Sequence, residues 1–244
     1  MGSVAEARTS LFVREVGLSD RVDYRLMETP EEKDRIYQLR YNAYLHGGVT
    51  AKSESQRVSD HFDDAPNAWI CGVYVDGELC SSIRLNVLTS ECRISGSTEH
   101  FGDVLHPRLD RGEIFIDPLR FAADPEKARR FPELPYLTVR LAYMACEHFN
   151  ADTGLALVRA EHQAFYRRVF LHETIAEPRL VPGLAKPFGL MAADFPALHE
   201  RVFERYPIMR STAFERRMLF ERPTDRLPAS EFVAVPEPTM VPHT

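Results

Sequence analysis

The spacing of apolar and polar positions changes several times along the chain, and each change marks an element. Val22, Tyr24 and Leu26 alternate with polar neighbours, the period of a half-buried strand. From Thr29 to Gly48 the period lengthens to that of a helix. Ile36, Leu39 and Ala43 form an apolar stripe, while Arg40 and Tyr44, four apart, share a face. Thr29, Pro30 and Glu32 supply an N-cap, a first-turn proline and a capping-box glutamate, and Gly47 and Gly48 supply the stop. A polar stretch ending in Asp60, His61, Phe62 and Asp63 leads to two apolar runs joined by Asp76 and Gly77, a hairpin signature. In the second run Leu79, Ser81, Ile83, Leu85 and Val87 fall on one side. Ser82, Arg84 and Asn86 fall on the other, so Arg84 projects from a polar sheet face.

After the hairpin the pattern predicts a long loop containing Phe101 and Asp103, then a strand over 113–121 and a basic turn. A helix follows with Leu137, Leu141, Met144, Ala145 and His148 on one side. Next come a short strand at 154–160, a short helix at 161–170 and a strand at 172–180. The segment 195–206 reads as helix, and 208–220 is compatible with helix or strand. Residues 1–20 lack sustained periodicity and 222–244 repeat proline, so both read as tails around one domain at 21–221. The order implies an α/β protein with a mixed sheet covered by helices.

The strand at 113–121 is the unusual element, because it carries Asp117 and Arg120 and is broken by Pro118. A proline removes a ladder donor, so it is expected at an edge, a bulge or a place where two strands part. Charged side chains are rarely buried without a partner. Asp117 and Arg120 therefore either bind each other or face a wet cleft.

The chain has 244 residues, of which 44% are hydrophobic, enough for a sizeable core. A net charge of -6 argues against non-specific nucleic-acid binding. Cys71, Cys80, Cys92 and Cys146 show no zinc spacing and read as reduced thiols, and His61, His100 and His162 show no metal pattern. No run is long enough to span a bilayer and the N-terminus does not look like a secretory leader, so the expected location is the cytoplasm. The best local basic patch is Lys127, Arg129 and Arg130, with Arg140 further on.

Taken in order, several small motifs resemble the signature of GNAT-like acyltransferases, in the branch that contains autoinducer synthases and N-acyl amino acid synthases. They are Arg40 with Tyr44 on the first helix, Asp60 with Phe62 and Asp63, Arg84 with Leu85, and Asp117 with Arg120 and Phe121. Each occurs often by chance, so the ordered set over roughly residues 22–180 carries the resemblance. Tyr44 stands where autoinducer synthases usually have phenylalanine, and Asp117 where they have glutamate. Their first-helix tryptophan is absent, since the sole tryptophan, Trp69, belongs to the hairpin.

The resemblance implies a GNAT-like fold, mainly antiparallel, with a splay between the fourth and fifth strands that receives a thioester arm. It implies an acyl group carried on the phosphopantetheine of acyl carrier protein as donor substrate, a small amine such as an amino acid as acceptor, and no tightly bound cofactor. Ordinary GNAT acetyltransferases hold the coenzyme A pyrophosphate in a glycine-rich loop at a helix N-terminus. Here the stretch from Asp124 to Pro135 has prolines and glutamates and no glycine, so free coenzyme A is expected to bind poorly. A carrier protein needs instead a basic landing site, the role expected of Lys127, Arg129 and Arg130. Tyr166 stands in a segment similar to the tyrosine-bearing GNAT helix. The Gly-Phe that accompanies it there is replaced by Phe170 and Leu171, which favours core packing for this phenol.

Amide formation needs a neutral amine and relief of charge on the thioester oxygen. Glu113 and Asp117, four apart on one strand, face the same way, and either serves as the base directly or through water. Arg40, Arg84 and Arg120 suit an α-carboxylate, with Asp60 and Asp63 as counter-charges. The alternative is an Arg–Asp network that only orders the chain. Three rivals remain open: an autoinducer synthase acting on S-adenosylmethionine, a coenzyme A-dependent N-acetyltransferase, and a non-catalytic lipid-sensing domain.

Overall fold

The structure, a computed structural model, describes residues 20–180 and 186–221. Seven strands form one sheet: β1 (Val22–Leu26), β2 (Ala68–Val75), β3 (Glu78–Leu88), β4 (Phe115–Ala123), β5 (Thr153–Arg159), β6 (Glu173–Arg179) and β7 (Phe188–Asp194). Their order is β1-β2-β3-β4-β5-β7-β6. Every neighbouring pair is antiparallel except β4 and β5, which run parallel. The expected mixed, mainly antiparallel sheet is therefore present.

Helix α1 (Pro30–His46) begins as the sequence predicts, with Thr29 and Glu32 in a reciprocal capping box. It lies on one sheet face, where Ile36 packs with Ile70 and Tyr74. Helix α4 (Leu134–His148) covers the other face. There Leu137, Leu141 and Ala145 meet Cys71, Val73, Ile83 and Leu85, the alternate residues of β2 and β3. Helices α5 (Ala160–Phe170) and α6 (Phe195–Arg205) extend this layer, with Phe170 and Phe203 against Tyr143.

Three local readings are corrected and one open alternative is settled. The loop expected around Phe101 and Asp103 is helix α2 (Gly96–Leu109), capped by Ser95 and Thr98. Gly96, Gly102 and Pro107 weaken its helical signal, but burying Phe101, Leu105 and Leu109 against Leu88, Phe115 and Leu190 overrides propensity. The basic turn is a one-and-a-half-turn helix, α3 (Pro125–Arg130), started by Asp124 accepting from the amides of Glu126 and Lys127. Residues 208–220 resolve into a 3-10 turn (Pro207–Met209) and helix α7 (Ala213–Phe220). Strand β7 was not anticipated: its apolar run lacks a period of two because it is covered on both faces, and it inserts between β5 and β6.

Arg140 does not join the basic patch. It points inward from α4, donating from Nε to the Ile208 carbonyl at 2.7 Å and from Nη2 to Glu215 at 2.7 Å, and so fastens α7 to the sheet layer. The tails expected at 1–20 and 222–244 lie outside the described residues, apart from Asp20.

The feature that positions a site is the end of the β4–β5 ladder. Only Phe115 with Thr153 and Ile116 with Gly154 are paired, although β4 continues to Ala123 and β5 to Arg159. Past Ile116 the two strands part, as the resemblance implied. On its other side β4 keeps β3, but Ser82 pairs with Ala122 and Arg84 with Leu119, so β4 carries one extra residue there. This bulge holds Arg120 at φ 56°, a left-handed conformation that a non-glycine residue adopts only under constraint.

Truncating Leu141, fully buried where α4 meets the sheet, should lower unfolding free energy by about 2–5 kcal/mol in urea titrations of L141A. A loss below about 1 kcal/mol would show that this contact is not the main core of the domain.

Candidate active site

Five charged residues predicted from the sequence meet on the α1 face of the sheet. Asp63 is at their centre. Arg40 Nη1 donates to both of its oxygens at 2.9 and 2.8 Å, and Arg84 Nη1 donates to Oδ1 at 3.0 Å. Arg84 also pairs with Asp60 through Nη1 and donates from Nε to Asn86 at 3.1 Å. Arg120 reaches Asp60 from Nε at 2.8 Å. The two aspartates are held by a 3-10 turn (His61–Asp64), which they cap reciprocally, Asp60 N–H donating to Asp63 and Phe62 N–H to Asp60.

The network is graded by depth. The Arg40 and Asp63 side chains are 0% exposed and Arg84 is 1% exposed, whereas Asp60 reaches 16% and Arg120 32%. Burial opposes ionisation of Asp60, but Arg84 and Arg120 outweigh it and hold its carboxyl below the usual range. Three guanidinium groups face the carboxylates of Asp60 and Asp63, and Arg84 also acts on the nearby carboxyl of Asp117. Nε and Nη2 of Arg40 have no hydrogen-bond partner. The outer end, Arg120, is the part open to a small anion. Tyr44 supports that end by donating to the carbonyl of Phe121 at 3.2 Å.

Asp117 is completely buried on the same face, opposite Asn86 in the β3–β4 register. It and Arg120 do not bind each other and Asp117 faces no wet cleft, so neither alternative for the pair describes it. Its Oδ1 accepts from the Ser97 hydroxyl at 2.8 Å and its Oδ2 has no partner. Burial pushes this carboxyl above its ordinary range, against the opposing pull of Ser95, Ser97 and Arg84.

Glu113 is not brought to the site. β4 starts at Phe115, and Glu113 lies before it, ion-paired with Arg108 at 2.5 Å and Arg111 at 2.8 Å. The spacing of four that put it beside Asp117 holds only within a continuous strand.

On the opposite face, where α4 lies, the parting of β4 and β5 opens a narrow, partly enclosed cleft. Pro118 and Phe121 line one wall, Leu155 and Leu157 the other, and Ala142 and Tyr143 the base. The wall is apolar, not lined by the acidic and guanidinium groups that were expected, because Asp117 and Pro118 are consecutive in a strand and point to opposite faces. Tyr166 and His172 also border the cleft, and Tyr166 packs against Phe165 and Phe170, in keeping with the core packing expected of this phenol. Burial raises the Tyr166 phenol and lowers the His172 imidazole to about 4, which keeps both neutral near pH 7. Sequence reasoning missed His172, Tyr143 and Ser97; only the Ser95 and Thr98 cap was visible as a local signal.

The basic residues of α3 occupy the edge beyond β4. Lys127 pairs with Glu78 and Arg130 lies over Phe131, while Glu133 takes the N-cap position of α4. Among the described residues no group of histidine, cysteine and acidic side chains is placed to hold a metal ion, and no helix is long and apolar enough to cross a membrane.

A seven-stranded sheet parted between its parallel strands, with an apolar cleft on one side and a charged network on the other, is the GNAT-like arrangement that the sequence resemblance implied. A family model described as the N-acyl amino acid synthase FeeM matches residues 35–194, more than half of the chain, and the chain belongs to that family; it is an N-acyltransferase. The solved structure of FeeM, from uncultured soil microbes, is 14% identical with a TM-score of 0.61, covering 76% of this chain and 97% of that one. The coenzyme A-dependent acyl-homoserine lactone synthase MesI is 14% identical at TM-score 0.54, covering 78% of this chain and 97% of its own. The lactone synthase LasI is 14% identical at 0.53, covering 73% and 94%. These likenesses show a shared fold. No curated protein matches this chain in sequence.

Replacing Asp63 by alanine should cost about 3–5 kcal/mol in urea unfolding, because it leaves the buried Arg40 guanidinium without a counter-charge and Arg84 with Asp60 alone. Arg120→Ala, at the open end, should cost about 1 kcal/mol or less. Equal costs would show that the network is not graded by depth.

Proposed function

We propose that this enzyme moves a fatty acyl group from the phosphopantetheine arm of acyl carrier protein to the amine of an amino acid. The observation that carries the reading is that β4 places Pro118 on the wall of an apolar cleft and the neighbouring Asp117 and Arg120 on the charged side, with Arg120 partly exposed. The thioester lies between the parted strands with its alkyl chain against Leu155, Leu157 and Tyr143. The β5-facing edge of β4 past Ile116 has no ladder partner, and its backbone polarises the thioester carbonyl. The α-carboxylate of the acceptor takes the forked guanidinium of Arg120, with Arg40, Arg84, Asp60 and Asp63 holding that arm in place.

Asp117, the first β4 residue past the last β5 pair, is fully buried and outside the cleft lining, so water entering with the acceptor carries the proton of the attacking amine to its Oδ2. The C–N bond forms, the C–S bond breaks, and the sulfur leaves as a thiolate that takes up the proton released by the amine, which gives the carrier thiol and returns Asp117 to its ionised form. Glu113, neutralised by Arg108 and Arg111 away from the strand, is the weaker candidate for this step. An acyl carrier protein donor is supported by Glu133 and Pro135 at the start of α4, where a pyrophosphate would need free amides and no negative charge. Lys127, Arg129 and Arg130 on α3 offer the acidic carrier a landing site. A cytoplasmic location follows from this choice of donor.

Mass spectrometry of lipids from cells overproducing the protein should show N-acyl amino acids, and purified enzyme should make them from acyl carrier protein thioesters. Lactone formed only on addition of S-adenosylmethionine would replace this acceptor with that of an autoinducer synthase. Equal use of acyl coenzyme A would remove the carrier protein as the dedicated donor. Asp117→Asn should lower turnover by about 10²- to 10⁴-fold, while Glu113→Gln leaves it essentially unchanged. The reverse pattern would exchange their roles.

A further inference from the structure

We infer that Ser97 is a positioning residue for Asp117: its hydroxyl engages one carboxylate oxygen and turns the other toward the acceptor amine. The inference rests on the reading of Asp117 as the base. Ser97 sits in the first turn of α2, fully buried, and donates from Oγ to Asp117 Oδ1 at 2.8 Å. Oδ2 is left without a partner. The donor is itself held firmly. The reciprocal Ser95 and Thr98 cap fixes the start of α2, and Phe101, Leu105 and Leu109 pin the helix to β4, β5 and β7.

The other groups facing Asp117 are committed elsewhere or unchanged by substitution at Ser97: the Ser95 hydroxyl, which also favours the ionised carboxyl, accepts from the Thr98 amide at 3.1 Å and lies 3.2 Å from the Thr98 hydroxyl, and the Ser97 amide is kept in every Ser97 variant. Arg84 on β3 directs its hydrogen bonds to Asp60, Asp63 and Asn86. Arg120 on β4 engages Asp60, and Arg40 on α1 engages Asp63. A buried carboxyl is driven toward its neutral form, which cannot accept a proton from an amine. A hydroxyl donating to the ionised form opposes that drive and also stops the group from rotating. Ser97 thus acts on both the availability and the aim of the base without touching the substrate.

The test compares pH profiles of kcat/KM for the full-length chain and its S97A, S97T, S97C and D117N variants, with acyl carrier protein thioester and amino acid as substrates. For S97A the acidic limb should move up by about one pH unit, a roughly tenfold loss below it. S97T, which keeps a hydroxyl, should restore the limb, and S97C, a weak donor, should fall between them. The infrared carboxyl band that disappears in D117N should titrate at correspondingly higher pH in S97A, a readout independent of turnover. An unmoved limb and band in S97A, whether or not thermal stability falls, would overturn the inference and leave Ser97 as a cap of α2. If S97A does not fold, S97C decides by the same criterion. Full activity in D117N would instead remove Asp117 as the base and the inference with it.

Discussion

Two parallel strands that begin as partners and then separate set the terms for the rest of this molecule. β4 and β5 share only the pairs at Phe115 and Ile116, and a parallel ladder cannot continue through Pro118, which has no N–H to give. A few residues on, the bulge at Arg120 adds a residue against β3 and increases the local twist. Both devices act on the same strand. They keep β4 zipped to β3 while freeing its other edge, so a slot forms inside a sheet that is otherwise continuous.

The alternation of a strand then sorts the chemistry. Pro118 turns to the α4 side and joins an apolar cleft, whereas Asp117 turns to the α1 and α2 side and joins the buried charges. β4 is the wall between greasy and polar compartments, and its pairing with β5 ends at Ile116, one residue before Asp117. An acyl chain and an amino acid differ in the same sense. The architecture has a reason to keep them apart until the reacting atoms meet.

Burying three arginines and two aspartates is costly unless geometry and extra hydrogen bonds compensate. Here the compensation is local: the 3-10 turn aims Asp60 and Asp63 with its own amides, and Arg40 binds Asp63 with one nitrogen bridging both oxygens. The exposed end at Arg120 inherits this rigidity from the buried end. An arm anchored so deeply loses little freedom when it meets a ligand.

Much of this was legible in the order of residues. Capping at Thr29, the hairpin at Asp76 and Gly77, the polar face carrying Arg84, and the shared face of Arg40 and Tyr44 all follow from periods of two and 3.6 that neighbours in sequence impose on one another. Pro118 marked the strand that parts. What only tertiary structure decided concerns residues whose environment comes from distant segments. Gly96, Gly102 and Pro107 speak against α2, yet its burial against residues of β3 to β7 wins. β7 had no readable period because both its faces are covered. Glu113 and Asp117 looked equivalent until the start of β4 and the placement of Arg108 and Arg111 separated them. Local spacing states which way a side chain can point; the partner it finds there is set by chain folded back from elsewhere, and in this protein that partner is what distinguishes a surface ion pair from a buried carboxyl beside the slot.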